Sequence, residues 1–208
     1  MIDTLYILDK FLNILQQRVL FISFPRGYGG NTLSRIIAAS PEIYWKGNPI
    51  EYPDKGYSIV VDDPSAPHFA SDLEQELCCT HTSEDLMYPD KNRIQLFMLY
   101  AKLAKEKIII VRSHNRDTYK LFKKSYTVYL YGKEPDFRFF DSTDMYKKPK
   151  QFPNVINVDV NEIFSKDYDT FETAYLDICT KLDITPQINR VRAFILLWLE
   201  RQERYKKL

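Results

Sequence analysis

A chain of 208 residues is long enough for one α/β domain with a sizeable core, and a second full domain does not fit comfortably. Hydrophobic residues at 45%, with 15 Tyr and 13 Phe, exclude a disordered chain, because aromatic side chains supply large buried area. Lys plus Arg 29 against Asp plus Glu 28 leaves a net charge of +1, which excludes a surface built to wrap nucleic acid and keeps only a local basic pocket open.

The first segment, MIDTLYILDKFLNILQQ, places Leu5, Leu8, Leu12 and Leu15 at helical spacing, so residues 1–17 are expected to form an amphipathic helix packed on the domain. Asp3 and Asp9 stand where a signal peptide carries positive charge. No run approaches the roughly 20 apolar residues of a membrane span. Cys78 and Cys79 are adjacent and Cys179 is distant, a pattern that matches neither a disulfide framework nor a metal or redox spacing. A reduced, soluble, cytoplasmic protein is expected, with no bound metal.

Next comes RVLFISF (18–24), an apolar β-branched run, followed by the turn PRGYGGNT (25–32) and a helix-like pattern. A strand feeding a helix through such a turn presents backbone N–H groups at a helix N-terminus, where unpaired donors and the helix dipole attract an anion. Gly27, Gly29 and Gly30 let those N–H groups converge, Asn31 or Thr32 is expected to cap the helix, and Tyr28 stands at the loop tip to stack on a base or shield the loop. The alternative is an ordinary tight turn. Against the pattern G-x-x-x-x-G-K-[ST], Pro25 replaces the first glycine and Asn31 the lysine, which leaves Arg26 as the only cation in the loop.

Residues 41–90 hold six of the 11 prolines and read as an irregular insertion or lid-like region within a single domain spanning 1–208. SIVVDD (58–63) ends in Asp62 and Asp63, which read as a strand-terminal turn or, alternatively, as a magnesium-holding strand end. His81, in CTHTSED, reads as a turn residue. KNRIQLFMLYAKLAKE (91–106) fits a 3.6-residue period and predicts a crossover helix.

Three further apolar runs follow: KIIIVRS (107–113), YTVYLYG (126–132) and NVINVDV (154–160). Runs of this kind suit strands buried on both faces, hence a mainly parallel central sheet flanked by helices. His114 stands one step past the first of them, either a site histidine at a strand's carboxyl end or a polar loop residue. A last long helix is expected to open with Thr185 as cap and Pro186 in its first turn, burying Val191, Phe194, Ile195 and Trp198.

Taken together, PRGYGGNTL, KIIIVRSHNRD and YTVYLYGKEPDFRFFDS resemble, in order, the motifs of the sulfotransferases that use 3′-phosphoadenosine 5′-phosphosulfate. The loop is about two residues longer than the family's, Asn31 replaces a threonine, Lys133 replaces an arginine, and the Arg-Lys-Gly loop of many cytosolic members is missing. The resemblance implies a three-layer P-loop-type α/β fold and transfer of a sulfuryl group to a hydroxyl or amine. By the same resemblance, Arg26, Gly27, Tyr28, Gly29, Gly30, Asn31, Thr32 and Leu33 hold the 5′ end of the nucleotide, and Lys133 with Ser142 holds its 3′-phosphate. His114 is then the base and Arg26 the cation at the leaving oxygen. The acceptor, whether small molecule, glycan or peptide, is left open. A rival frame sets Arg112 at the 3′-phosphate and His81 as the base, and two other functions stand beside it: a magnesium-dependent nucleotide enzyme and a non-catalytic nucleotide-binding module.

Overall fold

The computed structural model describes residues 19–25, 28–44, 50–52, 57–59, 106–113, 118–121, 124–133, 147–148 and 151–205. The helix expected over 1–17 lies outside these residues, as does all but the end of the one expected over 91–106.

In chain order the elements begin with β1 (Val19–Ser23), α1 (Gly30–Ala38), β2 (Ile43–Tyr44), β3 (Ile50–Tyr52) and β4 (Tyr57–Ile59). They continue with β5 (Ile108–Ser113), α2 (Thr118–Leu121), β6 (Tyr126–Tyr131) and β7 (Val155–Asp159). Three helices follow: α3 (Val160–Ile163), α4 (Tyr168–Leu182) and α5 (Ile188–Tyr205). The main sheet runs β2-β5-β1-β6-β7 with every pairing parallel, while β3 and β4 form a separate antiparallel pair. Of the region expected to be irregular from residue 41, Ile43 and Tyr44 pair with Ile108 and Ile109 as an edge strand, and 50–52 and 57–59 form β3 and β4. Its residues 45–49, 53–56 and 60–90 lie outside the described residues.

All five residues of β1 are buried, which is why this central strand reads as an unbroken apolar run instead of an alternating one. Leu20 and Ile22 lie on one face, packed with α1 through Leu33, Ile36 and Ile37, and with α4 and α5 through Tyr175, Ile178, Val191, Ile195 and Trp198. Each fully buried Leu, Ile or Phe contributes about 1.5–3 kcal/mol by leaving water. On the opposite face Tyr119 of α2 meets Tyr129 edge to face at 6.0 Å, with Tyr131 and Val155 against the pair. The described residues thus form an α/β structure with a parallel sheet and flanking helices.

The start of α5 departs from expectation. The helix opens at Ile188, because Thr185 is occupied elsewhere: its hydroxyl donates to Glu42 Oε1 at 2.5 Å and its N–H to Oε2 at 3.1 Å. The Ser40 hydroxyl donates to the same carboxylate. Hydrogen bonds from Ser40 and then Thr185 lower the Glu42 pKa to about 2. One carboxylate therefore ties the turn after α1 to the turn between α4 and α5.

Candidate functional site

Three strand ends define the carboxyl edge of the sheet. Ser23 is level with Ser113 of β5 on one side and Tyr129 of β6 on the other. β6 continues to Tyr131, so it rises roughly 7 Å beyond β1 at about 3.3 Å per residue. From β1 the chain departs toward β2, and from β6 it departs the other way to β7. Adjacent strands whose connections leave in opposite directions open a crevice at their carboxyl ends, the usual ligand position of open α/β sheets. Here that switch point lies between the exits of β1 and β6.

After β1 the Tyr28 N–H donates to the Pro25 carbonyl at 3.2 Å; Arg26 and Gly27 are outside the described residues. Tyr28 does not stand at an exposed tip. Its side chain is 0% exposed and belongs to the core, so it does not offer a face to a base.

Gly29 then takes the left-handed conformation, φ 74° and ψ 19°, and forms the N-cap of α1. The expectation that Asn31 or Thr32 caps the helix is corrected here, since those residues are the second and third of the helix itself. Glycine has no side chain to accept from the first turn, and no side chain caps α1. Gly30 is fixed by packing: a Cβ added there would stand only 2.1–2.3 Å from the ring carbons of the buried Phe24.

Leu33 is buried in the core and its N–H donates to the Gly29 carbonyl at 2.9 Å, so it offers a ligand neither side chain nor amide. The amides of Gly30, Asn31 and Thr32 precede this first helical bond, in the place where orphan donors of a helix stand. Thr32 is nearly buried, and Asn31 Oδ1 is buried without a hydrogen-bond partner among the described residues. The first turn carries no acidic residue. An uncapped, carboxylate-free N-terminus with a polar amide beside it is suited to receiving an anion.

At the β6 exit, Gly132 has φ 129°, and an added Cβ would stand 2.9 Å from Asp159 Oδ1. Lys133 follows, exposed, its carbonyl accepting from Asn161 Nδ2 at 3.5 Å. A residue missed by sequence reasoning is held at the end of β6: the Lys148 ammonium lies 5.4 Å from the centroid of the Tyr131 ring. The only sequence sign of it is the run KKPK at 147–150.

His114, Ser142, His81, Asp62, Asp63, Cys78 and Cys79 lie outside the described residues. Arg112 is placed by its backbone alone, beside Ile22 in the β1–β5 pairing. Cys179 is buried, which pushes its thiol up to about 11. Among the described residues no group of three or more His, Cys, Asp or Glu could hold a metal ion, and no helix is long and apolar enough to cross a membrane. Compared with protein-family models, curated proteins and solved structures, the chain finds no match in any of the three.

Proposed function

We propose that this chain is a sulfotransferase-like enzyme of three-layer P-loop type, moving a sulfuryl group from 3′-phosphoadenosine 5′-phosphosulfate to a hydroxyl or amine. The observation that carries the reading is the side-by-side exit of β5, β1 and β6, which in sequence lead directly to His114, to the 25–32 loop and to Lys133. A nucleotide with phosphates at both ends of its ribose needs two anion sites flanking one crevice. The uncapped start of α1 supports the first, and the cation after β6 supports the second.

In this reading the amides of Gly30, Asn31 and Thr32 hold the 5′-phosphate. Arg26, one residue past Pro25, meets the charge that grows on the bridging oxygen as the sulfur–oxygen bond breaks. His114 takes the proton of the acceptor while its oxygen or nitrogen bonds to sulfur. Lys133 and Ser142 hold the 3′-phosphate. The loop lacks the lysine that P-loop nucleotide hydrolases set against the β- and γ-phosphates.

Thermal unfolding with added nucleotide tests the proposal, because a ligand bound by the native state alone raises stability by mass action. In EDTA, 3′,5′-ADP at a hundred times its dissociation constant is expected to stabilise the fold by about 2.7 kcal/mol. Protection by ATP with magnesium and none by 3′,5′-ADP would replace the proposal with the magnesium-dependent enzyme centred on Asp62 or Asp63.

A further inference from the structure

We infer that Lys148 is a binding residue of this crevice: with Lys133 it forms an anion subsite at the β6 exit that takes a phosphate monoester. The inference rests on the proposed function for the identity of the ligand, where that group is the ribose 3′-phosphate, but the subsite itself rests on placement and charge.

Tyr131 is the last residue of β6, and Lys133 lies two residues beyond it. The Lys148 ammonium, brought back from 17 residues further along the chain, is seated over the Tyr131 ring at 5.4 Å. That contact holds the 147–148 segment at the strand end by the attraction of a cation for an aromatic face. Lys133, Lys147 and Lys148 are all exposed, and among the described residues none of them forms an ion pair.

Lys133 follows β6 by two residues and Lys148 is seated on its last residue, and among the described residues neither has an ion-pair partner, so a dianion bound at this strand end is attracted by both charges. Elsewhere in the same protein the exposed lysines Lys166 and Lys181 have carboxylate partners, Glu203 and Asp177. Among the described residues, the carboxylate beside Gly132, that of Asp159, is engaged as the cap of α3, accepting from the Asn161 N–H at 2.9 Å.

Two lysines on four-carbon stems give point charges, not a fork, so they suit a phosphate monoester with several equivalent oxygens better than a planar carboxylate. The single arginine expected by the resemblance is replaced here by Lys133. A second lysine supplies the donors that the shorter charge fan of one ammonium lacks.

Lys148→Met keeps an apolar stem over Tyr131 and removes the charge, and Lys148→Arg retains the charge. By titration calorimetry, Lys148→Met is expected to weaken 3′,5′-ADP about tenfold, the effect of one charge-assisted hydrogen bond, to leave 5′-AMP within about twofold, and to be rescued in large part by Lys148→Arg. Inorganic phosphate gives a probe independent of the nucleotide: its thermal protection of the unaltered protein should shrink in Lys148→Met. If the unaltered protein binds 5′-AMP and 3′,5′-ADP equally while phosphate protection still depends on Lys148, the sulfotransferase reading fails and the subsite stands. Equal 3′,5′-ADP affinity and equal phosphate protection with and without the Lys148 charge would overturn the subsite.

Discussion

The helices α1 and α4 begin in opposite ways. α4 is closed by Asp167, whose carboxylate accepts from the Thr170 N–H at 3.0 Å and from the Thr170 hydroxyl at 2.5 Å, with Asp169 also in its first turn. α1 starts at a left-handed glycine with no side-chain cap and no acid. Both helices pack on the same face of the sheet, so core burial does not account for the difference. Their places in the topology differ: α1 leaves β1 at the switch point, whereas α4 comes after the last strand of the sheet. A helix start without a cap leaves orphan donors that an anion can complete, whereas Asp167 supplies that acceptor at the start of α4.

The comparison also corrects how glycines are to be counted. Three glycines near a strand end invite a phosphate-cradle reading, yet Gly30 is required by Phe24 whether or not anything binds. Gly132, at the neighbouring exit, meets an equally strict demand from its positive φ and from Asp159. What speaks for an anion site is therefore the missing cap, not the glycine count.

The largest expected effect separates packing from binding. Gly30→Ala should force the Phe24 ring out of the core and cost about 3 kcal/mol, as overpacking combined with lost aromatic burial does. A lowered urea midpoint with unchanged slope is the expected result. An unchanged midpoint would mean that the ring moves freely and that Gly30 is kept for another reason.

A second substitution copies the start of α4 onto α1. Gly29→Asp and Gly29→Asn both face the left-handed backbone, which the two residues tolerate at similar cost. Only Asp brings a carboxylate to the first turn. Affinity for 3′,5′-ADP should fall roughly a hundredfold more in Gly29→Asp than in Gly29→Asn, since like charges juxtaposed in a binding site cost several kcal/mol. Equal affinity in the two variants would show that no anion meets this terminus.

The sheet was largely legible in the sequence, and the helix starts were not. β1, β5, β6 and β7 fall within a residue or two of the apolar runs, and burial on both faces explains the unbroken run of β1. β7 instead alternates, with Ile156 and Val158 buried and the other three residues only half-buried, so the expected burial on both faces does not extend to it. Thr185 and Pro186 have the chemistry of a cap and a first turn, but a contact 143 residues away in the chain claims the threonine. No local pattern encodes that partner. Tyr28 reads as a polar-tipped loop residue, and it is buried in the core instead, its N–H bonded to the Pro25 carbonyl. Lys148 was invisible for the same reason as Glu42: its neighbour Tyr131 is set by the fold and not by sequence spacing.

The smallest expected effect tests the closed helix. Asp167→Ala should lower the midpoint of thermal unfolding by roughly 2–4 °C at neutral pH, as loss of an N-cap does in a chain of this size, and should leave 3′,5′-ADP affinity unchanged. Hydrogen bonds from Thr170, first its hydroxyl and then its backbone, hold the Asp167 carboxyl below its ordinary value of 3.8. A carboxyl depressed on folding stabilises above its unfolded pKa, and that contribution is lost as pH falls through the folded one. The gap between unaltered protein and Asp167→Ala is therefore constant from neutral pH down to about pH 5 and closes below the ordinary aspartate range. A gap that stays open in strong acid would mean that Asp167 acts through packing, and the contrast between a charge-closed α4 and an open α1 would lose its physical basis.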